Sequence, residues 1–450
     1  MILRTLMAAS AFVWLGATAW AATIDGTWQG EAGSQKIELE LQSAADGAVT
    51  GRLRALGSGT DLPLTGRLAG NRLTLSAPPI AFSVDAKFDG ENELEGTGAR
   101  GGAAFDLDFE RAAPRGPATR KQDPVAPLPY RSEDVSFAGP AGTLAGTITV
   151  PEGVGPFAAV VLLTPEGPQD RNAQAFAHRP NLVLADALTR AGFAVLRFDD
   201  RGVGGSSGDY SGSTTVDFAA DASAALVFLM LRPDIDPARV ALIGRGNGAS
   251  IAAVAGRNAA AAVLISAPYL VGAEALNAAT ARQMREAGED EEDIAERVAL
   301  QTKAFAVAAD PSKTETDIRN TITALIDEAA GLMSFAVPDD VVEQMTRQMA
   351  APWFRHYLTY DPKTDYTDVK GHVLAVYGAE DTQNPPAESA AAVVAALGAK
   401  AQTVTLPGLT GGLAPYVADK EASPFDREVT LDPAGLVAIV TWLTGALAKP

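Results

Sequence analysis

The sequence predicts a doubly wound, mainly parallel α/β sheet with a helical lid, preceded by a small all-β barrel or sandwich domain. Three patterns lead there. Over residues 22–111, short segments with apolar residues at every second position are divided by Gly, Asp and Asn turn signals about every ten residues. From residue 132 on, apolar runs of strand length alternate with helical patterns, the rhythm of a parallel sheet. Between residues 268 and 355 that rhythm gives way to helical, acidic segments without strand character, as expected of an insert that covers strand ends.

The chain starts with one early positive charge, Arg4, an apolar run over 5–20, and the close Ala19-Trp20-Ala21 before Ala22. That is the pattern of a secretory signal with an A-x-A cleavage site over residues 1–21. The run is short for a spanning helix. The mature chain is therefore expected to begin at Ala22, to be periplasmic or extracellular, and to have no membrane span after cleavage. A net charge of −19 argues against a nucleic-acid partner, because association would work against the protein's own field. With no cysteine there is no disulfide framework, thiol nucleophile or cysteine-ligated zinc.

In the first domain, strands are expected at 27–31, 36–42, 49–56, 62–68, 72–76, 81–88, 93–98 and 103–109. Alternation is clearest at Ile37, Leu39 and Leu41 and again at Phe105, Leu107 and Phe109, which puts apolar side chains on one face. No nucleophile–base pair or metal cluster stands out there. Residues 112–131 carry Pro114, Pro117, Pro124, Pro127 and Pro129 and are expected to form an extended linker. Over residues 132–450 the expected order is a hairpin of 135–137 with 144–150, strand 158–163, helix 181–191, strand 193–198, helix 215–231 and strand 240–243. A helix and strand follow over 247–266, then the lid at about 268–355, strand 373–377, helix 387–397, strand 402–406 and helix 433–447. Continuous apolar runs such as Ala159-Val160-Val161-Leu162-Leu163 mark strands buried on both faces.

The stretch Gly244-Arg245-Gly246-Asn247-Gly248 joins a strand pattern to a helix pattern, the setting of the nucleophile elbow G-x-S-x-G. Gly246 stands in the nucleophile slot. The same residues also fit the dinucleotide fingerprint G-x-G-x-x-G/A, but the next strand ends in Ser266-Ala267-Pro268 with no carboxylate for a ribose, so no cofactor is expected. The plainest alternative is a strand-to-helix turn that serves packing alone.

Several further motifs occur in one order: Gly167-Pro168-Gln169-Asp170-Arg171, His178-Arg179-Pro180, Arg197-Phe198-Asp199-Asp200-Arg201-Gly202-Val203-Gly204, the elbow frame, Pro352-Trp353-Phe354-Arg355 and Gly378-Ala379-Glu380-Asp381. In this the chain resembles exported bacterial α/β-hydrolases of the esterase and serine-peptidase-like branch, whose members often carry an N-terminal β domain. The resemblance implies an α/β-hydrolase fold with nucleophile, acid and histidine in that chain order. Asp381 falls in the acid slot. The histidine slot, in Pro407-Gly408-Leu409-Thr410-Gly411, holds Gly411. In the oxyanion and pocket region Pro165 brings no N–H and Glu166 a negative charge, while Asn247 keeps its N–H and His178 opens the first helix. His178, His356 and His372 are isolated, and no metal site is expected.

These replacements imply a non-catalytic hydrolase-fold protein that binds a small molecule or a protein partner. A serine and a histidine that act as a unit are each worth roughly 10⁶ in turnover, so losing both leaves little. The alternatives are an ester hydrolase or serine-peptidase-like enzyme with its nucleophile displaced to Ser206, Ser207, Ser250 or Ser266, and an interaction module carried by the β domain.

Overall fold

The computed structural model describes residues 23–32, 35–55, 60–77, 82–100, 103–112, 120–329, 339–418 and 427–449. The expected signal segment, residues 1–21, and residues 113–119 of the expected linker lie outside them.

All eight strands expected in the first domain are present: β1 (Gly26–Ala32), β2 (Gln35–Ser43), β3 (Ala48–Ala55), β4 (Thr60–Ala69), β5 (Arg72–Ala77), β6 (Phe82–Phe88), β7 (Glu93–Arg100) and β8 (Ala103–Arg111). Each pairs antiparallel with the next, and β8 returns to β1 to close a barrel. Closure removes the free sheet edges that an open meander would expose. The interior is filled by the alternating apolar side chains, among them Trp28, Leu39, Leu53, Leu64, Leu73 and Phe109. Trp28 is fixed further by its indole N–H, which donates to Ile24 O at 2.9 Å, and by the Arg111 guanidinium 4.3 Å from its ring centre.

The proline-rich stretch departs from the expected linker at its C-terminal end. Arg120 is buried and donates to the carbonyls of Ala177 and Phe176, while Gln122 Oε1 accepts from the N–H groups of Thr430 and Leu431. Polar side chains at 120–122 thus dock this segment on the α/β sheet domain, which its proline content does not foretell. The first sheet strand, β9 (Tyr130–Gly139), already begins at Tyr130 and pairs antiparallel with β10 (Gly142–Pro151).

The chain continues through β11 (Phe157–Leu162), α1 (Pro180–Arg190), β12 (Ala194–Phe198), α2 (Thr215–Met230), β13 (Ile235–Arg245), α3 (Asn247–Ala255) and β14 (Ala261–Ile265). The described residues of the lid form helices joined by turns, with no strand among them: α4 (Gly272–Ala287), α5 (Glu291–Ala309), α6 (Glu315–Ala329), α7 (Asp339–Ala350), α8 (Pro352–Thr359) and α9 (Pro362–Tyr366). It therefore runs past the expected end at 355, because Asp361 caps one more short helix through the N–H of Lys363. Buried Ile318, Ile322, Phe354 and Leu358 give the lid a core of its own. The sheet resumes with β15 (His372–Gly378), α10 (Pro386–Leu397), β16 (Ala401–Leu406) and the closing α11 (Pro433–Ala446).

The sheet order is β16-β15-β14-β13-β11-β12-β10-β9, with β16 through β12 parallel. One apolar layer packs beneath α2, α3 and α10, the other beneath α1 and α11, so β12 and β14 are buried at every residue. β13 starts at Ile235, five residues before the apolar run that announces it, since its first residues include Asp236 and Pro237. From β11 the chain moves to β12 on one side and returns to β13 on the other. The C-terminal ends of β11 and β13 therefore flank the switch point, where open α/β sheets bind ligands. No helix among the described residues is long and apolar enough to cross a membrane.

Candidate functional site

At the end of β13 the chain turns through Gly246, whose φ of +55° and ψ of −121° lie in a region disfavoured for residues with a Cβ. Its N–H donates to Ile265 O at 3.0 Å, which ties the turn to the end of β14. The loop after β11 crosses directly over it. There Glu166 Oε1 accepts the Asn247 N–H at 2.7 Å, and a Cβ built on Gly246 would lie 2.2 Å from that same oxygen. The Glu166 carboxylate thus occupies the place of a side chain at position 246 and uses the amide at the start of α3. A negative charge is favoured there by the helix dipole. Glu166 remains exposed to solvent.

The loop is held at both ends by Asp200, at the end of β12. Its Oδ1 accepts from Thr164 Oγ1 at 2.6 Å and its Oδ2 from Gln169 N at 3.0 Å. Burial pushes the Asp200 carboxyl up to about 7, against those two hydrogen bonds and with Asp221 and Asp199 adding to the rise. A raised native value makes its contribution to stability fully present below the unfolded value near 4 and lost as pH rises through about 7. The Asp200→Asn variant cannot acquire that charge. Its Tm should start below that of the natural protein at pH 4, for want of the second acceptor, and gain on it steadily up to pH 7. Paired thermal scans from pH 4 to 8.5 check this, and a constant difference across the range would refute it.

After β15, Asp381 is buried: Oδ1 accepts from the N–H groups of Gln383 and Asn384, both at 3.0 Å, and Oδ2 accepts from Ser266 Oγ. Ser266 ends β14 with φ of +51°, and its Oγ also accepts from Asn384 Nδ2 at 3.1 Å. Gly411 faces this carboxylate, since its Cβ would lie 2.5 Å from Asp381 Oδ2. Gly246, Glu166 and Asn247 therefore form one group, and Asp381, Gly411 and Ser266 form another. Hydrogen bonds from Gly246 N to Ile265 O and from Ser266 N to Val376 O run along the strand ends between them.

Other expected site residues lie elsewhere. His178 stands in the turn before α1 with Nδ1 2.8 Å from Thr430 Oγ1. His372 is exposed at the first residue of β15, the end opposite the site. His356 lies in α8, where burial lowers its pKa against the pull of Asp217 and Asp365. Ser206 Oγ donates to Asp199 O and Ser207 Oγ to Thr143 O, which makes both loop braces. Ser250 is buried within α3, its side chain beside the Tyr360 phenol. Pro165 is partly buried beside Glu166.

Sequence reasoning did not single out Tyr210 or Tyr357. Burial pushes both phenols up, with Glu166 contributing in each case, so the two stay protonated near that carboxylate. Chemically, the arrangement offers an exposed carboxylate anchored by one oxygen and a buried acid bonded to a serine. Neither group includes an imidazole.

A family model described as serine aminopeptidase, S33, matches residues 181–410, just over half of the chain. The chain is an α/β hydrolase of the serine aminopeptidase S33 family. Esterase EstD of Thermotoga maritima is 29% identical over 203 residues, which cover 45% of this chain and 47% of that esterase. An uncharacterized protein of Mycobacterium tuberculosis is 41% identical over 92 residues, 20% of this chain and 32% of its own length. The chain thus spans about half the length of the first and a third of the second. Among solved structures, a hypothetical protein of Pseudomonas aeruginosa aligns with a TM-score of 0.44 at 18% identity, over 73% of this chain and 98% of that one. The α/β hydrolase GrgF of a Penicillium species aligns with a TM-score of 0.44 at 15% identity, over 71% and 100%.

Proposed function

We propose that this S33-family α/β hydrolase is an exported, non-catalytic member that uses its scaffold and lid to bind a small ligand or a protein partner. One observation carries the reading: the Glu166 carboxylate fills the space of a side chain at position 246 and engages the Asn247 N–H that would otherwise stabilise an oxyanion. A carboxylate there opposes charge developing on a substrate carbonyl. Gly411 beside Asp381 supports the same reading, because the acid has no base to orient. Export rests on the signal pattern of residues 1–21.

Protein recovered from the exported fraction, with Ala22 at its N-terminus, should hydrolyse neither p-nitrophenyl acetate or butyrate nor aminoacyl anilides above background. A fluorophosphonate probe should leave it unlabelled. Ser266 motivates one second reading, a displaced nucleophile, because its positive φ and its bond to Asp381 set it apart from the other three serines. Turnover abolished by Ser266→Ala would establish that reading and overturn the first.

A further inference from the structure

Beneath the elbow, on the face of the sheet covered by α1 and α11, lies a narrow cleft of about 30 Å³. Its walls are apolar side chains such as Leu184, Leu413 and Ile439, and the only polar side chains among its lining residues are those of Asn181 and Arg245. Asn181 is 9% exposed, and its Nδ2 has no hydrogen-bond partner. Arg245 is partly buried and, among the described residues, makes no hydrogen bond or ion pair. Its Nη1 lies 2.8 Å from where Gly412 would carry a Cβ, so the guanidinium reaches the wall of the cleft. Glu166 is the carboxylate that acts on Arg245, yet its oxygen is engaged by Asn247 N across the turn.

A cation and an amide donor facing an apolar recess form an incomplete set. Asn181 Nδ2 is a buried donor without an acceptor, which costs free energy, and Arg245 beside it has the charge of Glu166 nearby but no hydrogen-bonded partner. We propose that this cleft is a binding site for a small monovalent anion, a halide or a short carboxylate such as formate, held between Arg245 and Asn181. The volume suits such an ion. Asn181 lies in the first turn of α1, where the helix dipole also favours negative charge. The bound ion would link the end of β13 to α1 and α11, so its signature is stability. It does not depend on whether the elbow is catalytic.

The test uses the full mature chain at constant ionic strength and pH, with gluconate exchanged for chloride, bromide or formate. A saturable rise in Tm of a few degrees is expected with the small anions and none with gluconate. Bromide-soaked crystals should show anomalous density between Arg245 and Asn181. Loss of that density when formate is added would assign the shared site to carboxylates as well as halides; density that formate leaves unchanged would refute the carboxylate part of the proposal. Arg245→Met should abolish both the rise and the density. Should that variant fail to fold, Asn181→Asp supplies an internal carboxylate and should show a raised Tm in gluconate with no response to halide. Equal Tm in all anions, absent density, or a response that survives both substitutions, an adventitious ion only, would overturn the proposal.

Discussion

Placing a serine at 246 and a histidine at 411 should yield an esterase only when Glu166 is removed as well. The double variant Gly246→Ser, Gly411→His is expected to stay near background with p-nitrophenyl butyrate, and adding Glu166→Ala should raise turnover by roughly 10²–10³-fold. The factor follows from what Glu166 does. It accepts the Asn247 N–H at 2.7 Å, and loss of one oxyanion donor typically costs about that much. A side chain at 246 would also meet Glu166 Oε1, 2.2 Å from its Cβ, so serine and glutamate compete for one volume. Glu166 is exposed and can swing away, but it then leaves a carboxylate beside the reacting carbonyl. Serine at φ of +55° adds backbone strain of about 1–3 kcal/mol, as an elbow requires.

The histidine faces a firmer obstacle. Its Cβ would lie 2.5 Å from Asp381 Oδ2, and Asp381 is held by Ser266 Oγ and by two backbone N–H groups. The loop around Gly411 must therefore shift, and a further Ser266→Ala change, which frees one side of the carboxylate, should improve the triple variant. Equal activity in double and triple variants would show that Glu166 does not obstruct the hole. A folded but inert triple variant would mean that a triad at these positions needs more than these three side chains.

The elements of this fold were legible wherever a periodic pattern was buried against one partner surface. Ile37, Leu39 and Leu41 alternate because a barrel wall has an inside and an outside, and the run Val240-Ala241-Leu242-Ile243 is continuous because both faces of its sheet are covered. The turn at Gly246 was legible too, since a strand pattern, a glycine frame and a helix pattern meet there. What fills the turn was not. Glu166 lies 81 residues from Asn247, and its charge alone suggested repulsion near the hole where the structure has occupation of it. The Ser266–Asp381 bond spans 115 residues, and nothing in the spacing of either residue announces it. Periodicity encodes which face is buried; the partner of a polar side chain is set by crossovers and rotamers. Arg245 stands inside the elbow motif, yet nothing in that frame announces a guanidinium without a hydrogen-bonded partner.

The second large effect should come from Arg201, which joins the loop after β12 to α2. Arg201 Nε donates to Asp221 Oδ2 at 2.6 Å, its Nη1 to Ser213 Oγ at 3.1 Å and its Nη2 to Asp217 O at 2.7 Å. Both Arg201 and Asp221 are buried, so Arg201→Met leaves a carboxylate without a counter-charge, at an expected cost of about 3–5 kcal/mol. Burial already pushes the Asp221 carboxyl up, and the Arg201 hydrogen bond is what holds it back. In the variant that restraint is gone, so protonation relieves the defect and the loss of stability should be larger at pH 8 than at pH 5. Arg201→Met with Asp221→Leu removes both charges and should recover most of the loss, as apolar replacements of buried pairs often do. Urea unfolding of the natural protein, the single and the double variant at both pH values decides it; a single variant within about 1 kcal/mol of the natural protein, or a double variant no better than the single, would refute the assignment. The consequence reaches the site through sequence neighbours. Asp199 and Asp200 precede Arg201 directly, the first binding Arg171 and the second both ends of the loop that carries Glu166. Loosening Arg201 should therefore loosen the loop that carries Glu166.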